Sequence, residues 1–103
     1  MDANAPLKQV IWVGSSRREL RSFPAPVQDH VGYALYVAQC GGKHRDAKTL
    51  SGFGGAGVVE VVSDYRGDTF RAVYQAAAKL IFAAEKEPQG LKPRRIFNVL
   101  RHD

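Results

Sequence analysis

No stretch of this 103-residue chain approaches the ~18 consecutive apolar residues that a membrane helix needs. Cysteine is nearly missing. Cys40 is the only one, which rules out an internal disulfide and a metal site built from several cysteines. No histidine spacing reads as a zinc site, and no carboxylate pair points to hydrolase chemistry. The opening residues, Met1-Asp2-Ala3-Asn4-Ala5-Pro6, lack the basic-then-apolar order of a signal peptide. These absences together predict a cytoplasmic protein without a metal or other cofactor and without a membrane partner. Acidic residues are the minority charge. Ten Asp and Glu stand against 15 Lys and Arg, for a net charge of +5. That excess favours a polyanionic partner, nucleic acid or an acidic protein, although charge alone also serves solubility.

The length suits one domain over residues 1–103, with room for a single core. Lys8 to Val13 alternates and is β-branched and aromatic, so it predicts a strand. Both of its faces are apolar, which favours a place inside a sheet over an edge. Ser16 and Glu19 have capping-box spacing, predicting a short helix from Arg17 with Leu20 and Phe23 inward. Pro24 and Pro26 interrupt it. Over Ala25 to Cys40, the residues Val27, Val31, Ala34, Leu35 and Ala38 form one apolar stripe, and Gly41-Gly42 ends that helix. Tyr33 and Tyr36 flank the stripe, and His30 reads as a surface or boundary residue.

A charged loop containing His44 leads to a hairpin. Val58 to Val62 is one strand, residues 64–68 are the polar turn, and Thr69 to Tyr74 is the return. Lys79 to Ala84 reads as a third apolar run, with Leu80 and Phe82 alternating. Pro93 suits the start of a last short helix, carrying Ile96, Val99 and Leu100. The expected fold class is α+β: an antiparallel sheet of about four strands covered on one side by two N-terminal helices. Phe70, Ala72 and Tyr74 fall on the covered face. Thr69, Arg71, Val73 and Gln75 fall on the open one. An arginine on an apolar strand costs free energy unless it is paired or faces solvent or a ligand.

Several pieces of the chain resemble a known family. They are Ile11-Trp12-Val13-Gly14-Ser15-Ser16, Leu20 to Pro24, Val31 to Tyr36 with Gln39, Ala47 to Phe53, Gly57 to Glu60, and Gly67 to Tyr74. In this order they resemble the phage-derived, HigB-like branch of RelE-type toxins, over about residues 8–74. The resemblance implies the toxin of a type II toxin–antitoxin module. It implies an mRNA endonuclease, often working on the translating ribosome, that a cognate antitoxin neutralises. It also implies a small sheet backed by two helices. The chain departs from the family pattern at Val61-Val62, where an arginine is usual, and from Lys79 to Pro93. That last region is either divergent or the product of a frameshift.

Metal-free cleavage of this kind uses the RNA's own 2′-hydroxyl as nucleophile. The protein must remove its proton, stabilise the added negative charge on phosphate, and let the 5′-oxygen leave protonated. Arg71 matches the family's strand arginine and suits the second task, because its planar fork pairs two phosphate oxygens. The alternative is a structural ion pair with Glu60 on the neighbouring strand. Lys48 matches the family's lysine before the glycine-rich turn, for phosphate binding or proton transfer; otherwise it is a solvated loop lysine. His44 suits acid–base work near neutral pH, or is simply an exposed histidine. Lys86, Lys92, Arg94 and Arg95 offer RNA-phosphate contacts, or else form a charged helix start. The glycines from Gly52 to Gly57 lack the Lys-Ser/Thr end of a P-loop and precede a strand. Two further readings stay open: a non-enzymatic toxin relative that still binds antitoxin or RNA, and a nucleic-acid-binding module without toxicity.

Overall fold

Apolar periodicity decides the local structure, and the computed structural model, which describes residues 6–52, 57–76 and 79–86, shows what each element packs against. The elements in order are β1 (Val10–Trp12), α1 (Ser16–Ser22), α2 (Ala25–Gln39), β2 (Ala47–Thr49), β3 (Val58–Tyr65), β4 (Asp68–Ala76) and β5 (Leu80–Lys86). All five residues of the α2 stripe are buried. They meet Val59, Val61, Phe70, Ala72, Tyr74, Leu80, Phe82 and Ala84, the inward residues of the three long strands. Phe23, which follows α1, packs on Phe70 with ring centroids 4.8 Å apart. Tyr33 and Tyr36 are exposed flanks, as the stripe predicts. Gly41, at φ 90°, ends α2 in the left-handed conformation that glycine adopts without strain.

The α+β architecture holds, with two corrections. The described residues form a five-stranded sheet in the order β1-β5-β4-β3-β2, and β1 pairs with β5 in parallel. The expected sheet of about four antiparallel strands is therefore mixed. The second correction is that β1 lies at an edge. Its two apolar faces have separate causes. Trp12 meets Phe82 edge-on, with centroids 5.2 Å apart, on the helix side. The neighbouring Val13 packs against Val58, Val73 and Ala83 on the other side. The edge is short, which limits pairing with foreign strands.

The predicted hairpin is the long β3–β4 pair. Tyr65 pairs with Asp68 around Arg66 (φ 52°) and Gly67 (φ 83°), the two left-handed residues of a type I′ turn. The sheet face away from the helices is not bare. It carries the small cluster of Val58, Val73 and Ala83, with Val13 and Leu50 against it. The expected helix from Pro93 lies outside the described residues.

Ser16 does a different task from the one its spacing suggests. The helix begins at Ser16 itself, and the N-cap position, Ser15, makes no side-chain cap bond. Ser16 Oγ instead donates to the Val13 carbonyl at 2.5 Å and accepts the Ala84 N–H at 3.2 Å. The last β1–β5 rung is Trp12–Phe82, so Ala84 lies beyond the end of its partner strand. The buried hydroxyl serves the N–H that β1 no longer reaches. Ser16→Ala should therefore cost ~1–3 kcal/mol in urea unfolding with an unchanged m-value. Glu19→Ala should change little, since no capping box forms.

Candidate functional site

Period-two alternation and strand register assemble a charged patch on the face opposite the helices. Val62, Arg71 and Glu85 stand in one row across β3, β4 and β5. Lys48, Glu60, Val73 and Ala83 stand in the next, from β2 to β5. Arg71 Nη1 donates to Glu60 Oε2 at 2.5 Å, and the two side chains are only 17% and 12% exposed. Glu85 is 5% exposed and directly opposite Arg71 on β5. Arg71 thus lies between carboxylates on both flanking strands. Lys48 is exposed on the edge strand β2, directly across from Glu60.

The structure brings Arg71 and Lys48 onto one face, with Glu60 between them. The ion pair weighed above as the alternative to phosphate binding is formed. His44 is elsewhere. Its ring packs against His30 and Tyr33 of α2, at centroid separations of 5.6 and 5.5 Å, on the helix side of the sheet. Lys86 ends β5, exposed, 3.4 Å from Asp68. Lys92, Arg94 and Arg95 lie outside the described residues.

Three features escaped the reading of the sequence. Glu85 was read as tail, yet the alternation Ile81, Ala83, Glu85 carries it onto the Arg71 face. Arg17, Arg18 and Arg21 line an open recess with Gly14 and Ser15. Their close spacing along α1 was the signal for that. The third is a cluster formed by His30, His44 and Asp46. His30 Nε2 lies 2.9 Å from Asp46 Oδ2, and His44 Nδ1 lies 3.9 Å from the same oxygen. The His30 hydrogen bond, foremost, holds the Asp46 carboxyl below the usual carboxylate range; partial desolvation opposes it, and Arg45 and His44 add to it. Thirteen residues lie between His30 and His44 along the chain, so no local motif announces the cluster.

A model of the family described as "Phage derived protein Gp49-like (DUF891)" matches residues 18–83, more than half of the chain. The chain belongs to the phage-derived Gp49-like family. That family is of the RelE/HigB-like toxin kind. Comparison with the curated proteins and with the solved structures gave no significant match. In this Gp49-like protein the match runs from α1 into β5 and takes in Lys48, Glu60 and Arg71. It also takes in Leu80 to Ala83, so family likeness extends beyond Tyr74, where the resemblance had been read as ending.

Proposed function

We propose that this Gp49-like protein is the toxin of a type II toxin–antitoxin pair and acts as a metal-independent mRNA endonuclease that a cognate antitoxin restrains. The observation that carries this reading is the convergence of Arg71, Glu60 and Lys48 on one sheet face of a basic protein of toxin kind. The chemistry balances with these groups. Glu60 accepts the proton of the RNA 2′-hydroxyl. The freed oxygen attacks the adjacent phosphorus and forms a cyclic phosphate. Arg71 neutralises the charge that builds on the phosphate oxygens, and Lys48 contacts a phosphate from the edge strand. The 5′-oxygen leaves with a proton taken from water. The translating ribosome is a natural place for this attack, because message is held there extended and single-stranded.

A second reading has its own observation. Glu60 and Glu85 flank Arg71, and two carboxylates weaken the attraction of that spot for phosphate. The protein would then bind antitoxin or RNA without cutting. Inducing it alone while following growth and transcript integrity separates the two. The enzyme reading expects growth arrest with cleaved message, reduced ~10²-fold or more by Glu60→Gln and less by Lys48→Ala. Folded, full-length protein that neither slows growth nor cuts message sinks that reading. RNA binding that weakens steeply with salt would then identify the binder.

A further inference from the structure

We propose that His30, His44 and Asp46 form a divalent-metal site of the zinc class that clamps α2 to the entry of β2. The site is independent of the endonuclease reading and lies on the other side of the sheet from Arg71. The donor set is two imidazoles and one carboxylate, the mixture that suits zinc and its first-row neighbours. One candidate donor atom from each residue lies within 4.8 Å of the other two. Two of the separations are 2.9 and 3.9 Å, both to Asp46 Oδ2. A tetrahedral ion with bonds of ~2.0–2.1 Å places its donors roughly 3.3–3.5 Å apart. The two spacings to Asp46 straddle that range, and the two imidazole nitrogens, within 4.8 Å of one another, close toward it on metallation. Three protein donors leave a fourth position for water.

The donors already sit together, and the loop that carries two of them is ordered by contacts that do not use the ligating atoms. The Asp46 backbone N–H donates to His44 Nδ1 at 3.0 Å. That bond fixes the tautomer in which Nδ1 carries a bare lone pair, the form that ligates. The metal and the Asp46 N–H compete for that one lone pair, so metallation exchanges this hydrogen bond for the metal bond. A hydrogen bond joins His30 Nε2 to Asp46 Oδ2; on metallation the ion takes the place of its proton, which is released to solvent as the ring adopts the Nδ1–H tautomer. Tyr33 packs against the His44 ring at 86° and limits its rotation. The Ala47 N–H donates to the His44 carbonyl at 2.9 Å, and Lys43 Nζ donates to Thr49 Oγ1 at 3.0 Å, so the loop between α2 and β2 is closed already. Such preorganisation lowers the entropy cost of binding. Lys48 is two residues beyond Asp46, so the clamp would also steady the strand that carries it.

The test uses the full chain, free of any histidine tag and stripped with chelator, titrated with Zn2+ by calorimetry and with Co2+ by visible absorption. One ion should bind per chain, Co2+ should give the intense bands of tetrahedral coordination, and Zn2+ should raise Tm. His30→Ala and His44→Ala should each weaken binding at least ~10-fold, the lower limit known for losing even an outer-shell partner. Cys40→Ser and His102→Ala should leave it unchanged. If a histidine variant fails to fold, Asp46→Asn, at an exposed position, carries the same expectation. Absence of saturable binding, or binding that survives in Asp46→Asn but not in His102→Ala, overturns the proposal.

Discussion

Arg71→Ala should destabilise this protein by ~3–5 kcal/mol, a large share of the ~5–15 kcal/mol available to a domain of this size. The reason is what remains. Glu60 and Glu85 flank Arg71 at 12% and 5% exposure, so removing the guanidinium leaves two buried carboxyl groups without the cation that faces them. Neither can turn fully to solvent from a strand packed on both sides. Deleting one partner of a buried ion pair costs far more than the pair itself contributes, because the cost is an uncompensated charge. The pair's own worth is therefore better measured by a cycle. Arg71→Ala combined with Glu60→Gln should recover part of the loss in urea unfolding, giving a coupling energy of ~1–3 kcal/mol. An additive double variant would show that the two side chains do not sense one another.

That expectation changes how the functional experiment must be read. Loss of toxicity in Arg71→Ala alone would not establish a catalytic role, because the variant risks not folding. Glu60→Gln is the better probe. It keeps the volume and an acceptor for Nη1 while removing the capacity to take a proton. Arg71→Lys is the second probe, since it keeps the charge and loses the planar fork. If both variants stay folded and only cleavage falls, the face is catalytic. If both cleave normally, the patch holds the sheet together and the chemistry lies elsewhere.

What the sequence revealed follows a physical rule. Features set by one element were legible. The stripe Val27, Val31, Ala34, Leu35 and Ala38 is a property of helical period, and every member is buried. The face of Arg71 follows from period two, and the turn over residues 64–68 follows from its polar run, although nothing in an arginine announces the positive φ of Arg66. Features set by the meeting of distant elements were not. Apolar alternation in Lys8 to Val13 says that a strand exists, but not that it lies parallel to β5 at an edge. Ser16 has the spacing of a cap, yet its hydroxyl serves an amide 68 residues away. The His30, His44 and Asp46 cluster likewise depends on where the loop after α2 folds back. Glu85 lies just past the apolar run Lys79 to Ala84, so the apolar pattern alone does not carry β5 out to it.

Phe82→Ala should be the most damaging apolar truncation, at ~3–5 kcal/mol. Phe82 is 1% exposed and sits in the row Val59, Tyr74, Phe82, Trp12 that crosses four strands. Removing the ring opens a cavity in the main core, on the strand that α1 covers, and deprives Trp12 of its edge-on partner. Position matters as much as volume. β5 alone joins β1 to the hairpin, and α1 is tied to it through Ser16. Damage there should loosen β1 and α1 before the hairpin. Hydrogen exchange should therefore show protection falling first at the amides of residues 10–20 and later at those of β3 and β4. Phe82→Leu, which refills most of the space, should lose less than ~2 kcal/mol. Uniform loss of protection across the sheet would instead make the whole sheet one cooperative unit. The same position bears on the frameshift reading. The family match reaches residue 83, which argues against a break in the reading frame before Ala83. The inward alternation Leu80, Phe82, Ala84 shows why: this stretch fills the slot between β1 and β4, and a shifted frame would have had to recreate that pattern by chance.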